Sequence, residues 1–334
     1  MKKSILLVLL VLLTGVQFNY AQKSKTKSEE PLDKININGL KWRNVGPALT
    51  SGRISDIAVN PANPFEYYVA TSSGGVWKTE NSGVTYTPIF DNEGSYSIGC
   101  VTMDPNNTNV IWVGTGENNN QRSVAFGDGL YKSIDGGKSW KKVGLGNSEH
   151  IGKIIVHPDN SDVVYVAAIG PLWSKGGDRG LYKTTDGGKS WQNILSFDEH
   201  TGVNDVVMDP RNPEVLYASS LQRRRHVYTY VGGGPGSGLH KTTDGGQTWT
   251  KIQKGLPDVE LGRIGLAISP ANPEIIYAIV EAAEGKSGVF ASTNRGATWE
   301  KRGSHVTSGN YYQEIIADPI EENTIYSMDT WMSV

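Results

Sequence analysis

A nine-residue motif recurs along this chain and restricts the fold more than any other feature. Its clearest copies are Lys132-Ser133-Ile134-Asp135-Gly136-Gly137-Lys138-Ser139-Trp140, Lys183-Thr184-Thr185-Asp186-Gly187-Gly188-Lys189-Ser190-Trp191 and Lys241-Thr242-Thr243-Asp244-Gly245-Gly246-Gln247-Thr248-Trp249. Looser copies at 79–86 and 292–299 carry Asn81 and Asn294 in place of Asp, and the first ends in Tyr86. The Asp/Asn positions lie 54, 51, 58 and 50 residues apart, the scale of one propeller blade enlarged by loops.

Each residue type in the motif has a structural task. The Asp or Asn oxygen is expected to accept the backbone N–H two residues on, while the Ser or Thr hydroxyl braces the same turn. Glycine supplies the positive φ that closes a hairpin. The terminal Trp opens the next strand and buries its ring on the neighbouring sheet. The motif is therefore a folding device, and its Asp is not read as catalytic.

A second repeat precedes each copy: an apolar strand, a turn centred on Pro61, Pro105, Pro158, Pro210, Pro270 or Pro319, and a further strand such as Val163-Val164-Tyr165-Val166. Together the repeats predict an all-β propeller with four strands per blade, A (inner) to D (outer), and no sustained helical period. Five full blades and the opening of a sixth are expected. The chain ends at Trp331-Met332-Ser333-Val334, where another motif is due, with Ser333 as its first hydroxyl. Residues 40–45 read as the outer strand of a final blade, so a C-terminally incomplete ring over 40–334 is expected.

Residues 1–21 read as an export signal. Lys2 and Lys3 precede the apolar run 5–13, and Ala21 offers a cut before Gln22. A secreted or periplasmic destination follows, with no stable membrane insertion, since no later apolar stretch is long enough to span. Residues 22–39 read as a disordered lead-in. Among 334 residues, 32 Lys+Arg nearly balance 34 Asp+Glu, so no global field favours nucleic acid. The single Cys100 excludes an internal disulfide and lies in an apolar strand, where a small buried side chain is expected.

The motif copies resemble the Asp-box (BNR) repeat of β-propellers. The segments Trp42-Arg43-Asn44-Val45-Gly46-Pro47, Ser51-Gly52-Arg53-Ile54, Gly114-Thr115-Gly116-Glu117-Asn118 and Gln222-Arg223-Arg224-Arg225-His226 resemble large exported bacterial proteins labelled glycosyl hydrolase or sortilin (Vps10) N-terminal-like. Xyloglucanase-type propellers are more distantly similar. The resemblance implies the fold; because enzymes and binding proteins share the repeat, it leaves the chemistry open.

In such a blade, the B–C and D–A connections share one face and the Pro turns and Asp boxes the other. Three B–C connections are long, 116–128, 169–179 and 221–237, whereas that of the first blade is only 72–75. They predict a binding face for a glycan or polypeptide, with Arg53, Glu117, Asn118, Arg122, Trp173, Arg223, Arg224, Arg225 and His226 as its contacts. His150, His200 and His305 open on the same face, but their spacing differs and no carboxylate is fixed beside them. Neither a metal nor a cofactor is expected.

Five residues before each Pro, the inner strands read Asp56, Cys100, Lys153, Asp205, Gly265 and Glu314. Asp56, Asp205 and Glu314 are the catalytic candidates of the alternative reading, a glycoside hydrolase with paired acids in the channel. The competing role for them is hydrogen bonding between blades. Xyloglucanase-type relatives imply a catalytic Asp one residue earlier, where this chain has Ser55. Strand alternation would turn Asp56 to the opposite face from that position. Sialidases imply an arginine triad and a Phe-Arg-Ile-Pro segment, of which Gly52-Arg53-Ile54-Ser55 is a partial echo.

Overall fold

The computed structural model describes residues 52–311, 313–329 and 331–334. The export signal, the lead-in and the strand expected at 40–45 fall outside them. The strands β1 (Ile54–Val59), β2 (Tyr67–Thr71), β3 (Val76–Thr79) and β4 (Thr87–Pro88) form an antiparallel sheet in chain order. The order repeats in β5 (Ile98–Asp104), β6 (Asn107–Thr115), β7 (Leu130–Ser133) and β8 (Lys141–Gly144), then in β9 (Ile151–His157), β10 (Asn160–Ala168), β11 (Gly180–Thr184) and β12 (Gln192–Leu195).

The fourth sheet, β13 (Thr201–Met208), β14 (Leu216–Gln222), β17 (Gly238–Thr242) and β18 (Thr250–Ile252), carries an inserted hairpin, β15 (Arg224–Arg225) and β16 (Tyr230–Val231). The fifth is β19 (Leu261–Ile268), β20 (Ile276–Ala282), β21 (Gly288–Ser292) and β22 (Glu300–Gly303), followed by the pair β23 (Glu314–Ala317) and β24 (Ile325–Met328). Among the described residues no helix is long and apolar enough to cross a membrane.

The apolar cores lie between consecutive sheets. Ala58, Tyr68 and Ala70 pack with Val101, Ile111 and Tyr131 of the next sheet. Trp112 and Leu130 pack with Ile151 and Val166, Tyr165 and Leu181 with Val203 and Leu216, Tyr217 and Leu239 with Ile264 and Phe290, and Ile279 with Ile315. A sheet buried on both faces by its sequence neighbours is a propeller blade. Cys100 belongs to one of these cores, and burial pushes its thiol up.

The Asp boxes differ in one detail from the expectation. It is the hydroxyl that takes the N–H two residues on (Asp135 N to Ser133 Oγ, 3.3 Å), while also bonding the N–H of Gly137 and the Asp135 carboxylate. The carboxylate reaches four residues forward, to the N–H and hydroxyl of Ser139 at 2.9 and 2.6 Å. Asp186 and Asp244 repeat this. The two glycines of each strong copy have positive φ, 71° and 89° at Gly136 and Gly137. In the looser copies Ser82 and Arg295 adopt φ 58° and 57° at the first of these positions, a conformation costing about 1 kcal/mol without glycine.

Each box is also fastened to the sheet before it. Tyr68 donates to Gly136 O (3.1 Å), Lys132 to Gly187 O (3.0 Å), Tyr165 and Lys183 to Gly245 O (3.2 and 2.9 Å), and Tyr217 and Lys241 both to Arg295 O (2.7 Å). In the reverse direction Trp140 and Trp191 donate their indole N–H to Ile89 O and Val143 O. The Pro turns are capped twice. The side chain before Pro accepts the N–H two residues on, as Asp104 does from Asn106, and Asn107 accepts from Asn109. The inner strands bulge near their loop ends, at Ser55, Gly99, Gly152, Asn204 and Arg263.

Removing one latch should be measurable. Tyr217→Phe is expected to lower the urea midpoint by the equivalent of roughly 0.5–1.5 kcal/mol, the net worth of one buried hydrogen bond. The boxes also set an acid response. Hydrogen bonds led by the Ser139, Ser190 and Thr242 hydroxyls hold Asp135, Asp186 and Asp244 below their ordinary 3.8. Because these native values are depressed, the stability they confer is full above about pH 4 and declines as pH falls below it. Asn81 and Asn294 keep the same turn with an amide. Asp186→Asn is therefore expected to keep the melting temperature at pH 7 and to shed part of its fall between about pH 4 and pH 2.

Candidate functional site

The bulges gather the inner-strand column around one cavity of about 130 Å³, lined by Ser55, Asp56, Lys153, Asp205, Arg263 and Glu314 among others. The register shift between Ile54 and Asp56 interrupts alternation, so Ser55 and Asp56 border the same cavity. This corrects the expectation that they face opposite ways. Asp56 accepts the N–H of Ile57 at 2.9 Å and of Val101, on the next inner strand, at 3.2 Å. Asp205 repeats the arrangement with Val206 and Leu266, both at 2.9 Å. Two of the three candidate acids thus tie neighbouring inner strands together.

Glu314 is differently placed. It accepts from Asn118 Nδ2 at 3.2 Å and lies 3.6 Å from the Arg263 guanidinium, with 42% of its side chain open to the cavity. Burial pushes its carboxyl up, against the pull of Arg263 and Lys153, and does the same to Asp205 against Lys153. The Lys153 ammonium is held protonated, chiefly by Asp56.

Above the cavity, residues 117–120 run across the loop end of the channel and each meets an arginine from elsewhere. Arg53 forms an ion pair with Glu117 and stands 5.2 Å from the Tyr311 ring centre. Arg263 donates to Asn118 O and Oδ1 (2.9 and 2.8 Å). Arg223 donates to Asn119 O, Asn120 Oδ1 and Gly170 O (3.1, 2.7 and 2.6 Å), and Arg225 to Asn120 O and Asn310 Oδ1. Asn120 bonds onward to Asn310 O and Gly309 O. A strap from the second sheet is thereby fixed to the first, fourth and fifth sheets and to the segment before β23.

These contacts revise the loop reading. Glu117, Arg223 and Arg225 are buried and engaged within the protein, because guanidinium donors are the groups that satisfy the carbonyls of crossing loops. Arg223 is fully buried beside Arg179, and burial lowers the two to about 9 and about 10. Arg179 is likewise occupied by loop carbonyls, among them those of Ile169, Pro171 and Ser174.

What remains outward is a small platform. Trp173 is 40% exposed, and at the tip of the β15–β16 hairpin Tyr228 is 84% exposed and stacked on His226 at 5.6 Å and 13°. Arg225 N donates to Leu172 O at 3.0 Å, joining the hairpin base to the Trp173 loop. Arg224 is half-buried nearby, and Arg122 is exposed on the strap loop.

The histidines do not converge. His150 is buried against Glu117 O (2.9 Å) and kept neutral by burial, while His305 bonds Ser327. No metal-binding group of side chains occurs among the described residues. Arg263 and Lys153 are the site residues that sequence reasoning did not single out. Their signal was a charge within an otherwise apolar inner strand, Leu261-Gly262-Arg263-Ile264 and Ile151-Gly152-Lys153-Ile154.

Stacked four-stranded sheets, Asp-box turns and a strapped central cavity define a β-propeller of the Asp-box type. The Sortilin-Vps10 family model (sortilin, neurotensin receptor 3) matches residues 128–286. A xyloglucanase of Hypocrea jecorina is 30% identical over 196 residues, 55% of this chain and 21% of the relative. A probable oligoxyloglucan-reducing end-specific xyloglucanase of Neosartorya fischeri is 26% identical over 314 residues, 80% of this chain and 36% of the relative. Among solved structures, a GH74 enzyme of Niastella koreensis superposes with a TM-score of 0.59 at 20% identity, covering 82% of this chain and 44% of that one. The GH74 xyloglucanase of Xanthomonas campestris gives 0.61 at 18%, covering 82% and 43%. The chain thus spans from a fifth to under half of these relatives and structures, and it is a propeller similar to those of glycoside hydrolases.

The strap depends on Arg223. Arg223→Ala leaves three buried acceptors without their donor and is expected to cost on the order of 3 kcal/mol. Amide exchange should rise first at residues 117–122, with the Asp-box strands protected as before. Uniform loss across all sheets would show that the strap has no independent stability.

Proposed function

We propose that this chain is the glycan-handling propeller of an exported, glycoside-hydrolase-related protein, and that it holds its glycan on the loop face. The stacked His226–Tyr228 pair carries this reading. An aromatic ring left outward at a hairpin tip is a standing loss of burial, and it is recovered when the apolar face of a sugar ring covers it. Trp173 lies on the adjoining loop, and Arg224 and Arg122 supply donors for hydroxyl groups. The relatives named xyloglucanases favour glycan over polypeptide. Export rests on residues 1–21, with cleavage before Gln22.

One observation supports hydrolysis as a second reading. Glu314 borders both the central cavity and the small mouth lined by Arg53, Glu117 and Tyr311 on the loop side. A carboxyl pushed up by burial and reachable from the loop side, beside Asp56 and Asp205 that accept backbone N–H groups, is a pairing that general acid catalysis uses.

Calorimetry of the secreted chain with xyloglucan oligosaccharides, alongside reducing-sugar assays, tests both. Tyr228→Ala and Trp173→Ala are each expected to weaken binding about tenfold, the loss of roughly 1.4 kcal/mol of stacking. Binding that both variants leave intact would remove the glycan from the loop face. Sugar release abolished by Glu314→Gln, with binding retained, would establish hydrolysis. Edman sequencing of the secreted form should begin at Gln22.

A further inference from the structure

The central cavity is polar, enclosed by different strands and incompletely satisfied. Asp56 comes from β1, Lys153 from β9, Asp205 from β13 and Glu314 from β23, with Arg263 of β19 beside them. Among the described residues the Lys153 ammonium donates no direct hydrogen bond, although Asp56, Asp205 and Glu314 all act on it electrostatically. Arg263, 2% exposed, has an Nε without a partner, and so does the shielded Ser55 hydroxyl. Unpartnered donors on Lys153, Arg263 and Ser55 therefore share the cavity with carboxylates whose known partners are backbone N–H groups, Asn118 and the Arg263 guanidinium.

The chemistry of that gap selects its occupant. A cation would meet Lys153 and Arg263, an anion would meet three carboxylates, and an apolar molecule would strip water from all of them. A hydroxyl group accepts from an ammonium and donates to a carboxylate at once. The volume is that of a single ring, since a cavity of about 150 Å³ accepts benzene. The strap at 117–120 covers the loop end. Towards the Pro turns, a groove of about 420 Å³ lined by Ile57, Val59, Val101 and Met103 shares Asp56 and Lys153 with the cavity.

We propose that this cavity is a second carbohydrate site, which takes one sugar residue or small polyol from the Pro-turn side and holds its hydroxyls between Lys153 and the carboxylates of Asp56, Asp205 and Glu314. The site deepens the glycan reading above but shares no residue with the Trp173–Tyr228 platform, so either can fail alone.

Saturation-transfer NMR on the full chain with D-xylose, D-glucose and glycerol tests it. Transfer to xylose or glucose ring protons is expected for the unaltered protein and for Tyr228→Ala. With the loop platform removed by Tyr228→Ala, it should fall at least tenfold when Lys153→Met is added, which removes the ammonium, or Ser55→Leu, which fills the cavity without changing charge. Circular dichroism checks both variants, and Ser55→Leu decides if Lys153→Met does not fold. Absence of transfer with all three probes means that the cavity holds water alone and overturns the proposal, as does equal transfer in Ser55→Leu. Loss confined to Tyr228→Ala would assign all carbohydrate binding to the loop face.

Discussion

One backbone carbonyl per Asp box holds consecutive sheets together. It lies at the tip of a turn made rigid by its own Asp, Ser or Thr, and it receives a tyrosine hydroxyl, a lysine ammonium or both from the preceding sheet. The lysine also stands over the aromatic ring it accompanies, as Lys132 does over Trp112 at 4.6 Å and Lys183 over Tyr165 at 5.1 Å. The box tryptophan returns the contact to the sheet before. Each junction is thus specified by residues of two consecutive repeats, so the sheets can be added one by one as in other repeat architectures. The fifth sheet shows what is dispensable. Ala291 replaces the lysine there, and Tyr277 alone donates onward, to Glu322 O at 2.6 Å.

Because this rim is self-sufficient, the opposite face is free to diverge, and there the stabilising logic changes. The crossing loops expose many carbonyls that no strand can satisfy, and buried arginines satisfy them instead. Among the described residues Arg223, Arg225 and Arg179 receive no direct carboxylate, so they are held by carbonyl dipoles at the cost of burying charge. A lysine would be a poor substitute, since its single ammonium lacks the fixed fork that reaches several carbonyls. Even His150 is affected, kept neutral by burial and by the Arg223 and Arg179 charges.

What was legible in the sequence follows the range of the interactions. Asp boxes, Pro turns and strand order are set by residues within nine positions of one another, and the repeat spacing displayed them. The glycine and Asx chemistry of Asp135-Gly136-Gly137 and of Asp104-Pro105-Asn106-Asn107 is local in the same way. The strap was not legible, because Arg263 meets Asn118 across 145 positions and Glu314 meets Asn118 across 196. Alternation failed at Ser55 and Asp56 because a bulge, unlike a regular strand, leaves no signature in hydrophobic period. The arginines at 223–225 read in the sequence as contacts for a ligand, yet two of the three turn inward to loop carbonyls.

The bulges also explain how a scaffold this regular carries a polar interior. An uninterrupted inner strand would present only every second side chain to the channel, and the apolar Ile57 and Val59 show what the channel holds where alternation is intact. The irregularity at each loop end brings a second residue inward, adding Ser55 beside Asp56 and Asn204 beside Asp205. The acids then have two duties. Asp56 and Asp205 accept the N–H groups of the neighbouring strands while lining the cavity that holds Lys153. Glu314 carries no such strand contact: it meets Asn118 of the strap and Arg263, so it is the acid of this column that can be altered without cutting a hydrogen bond between inner strands.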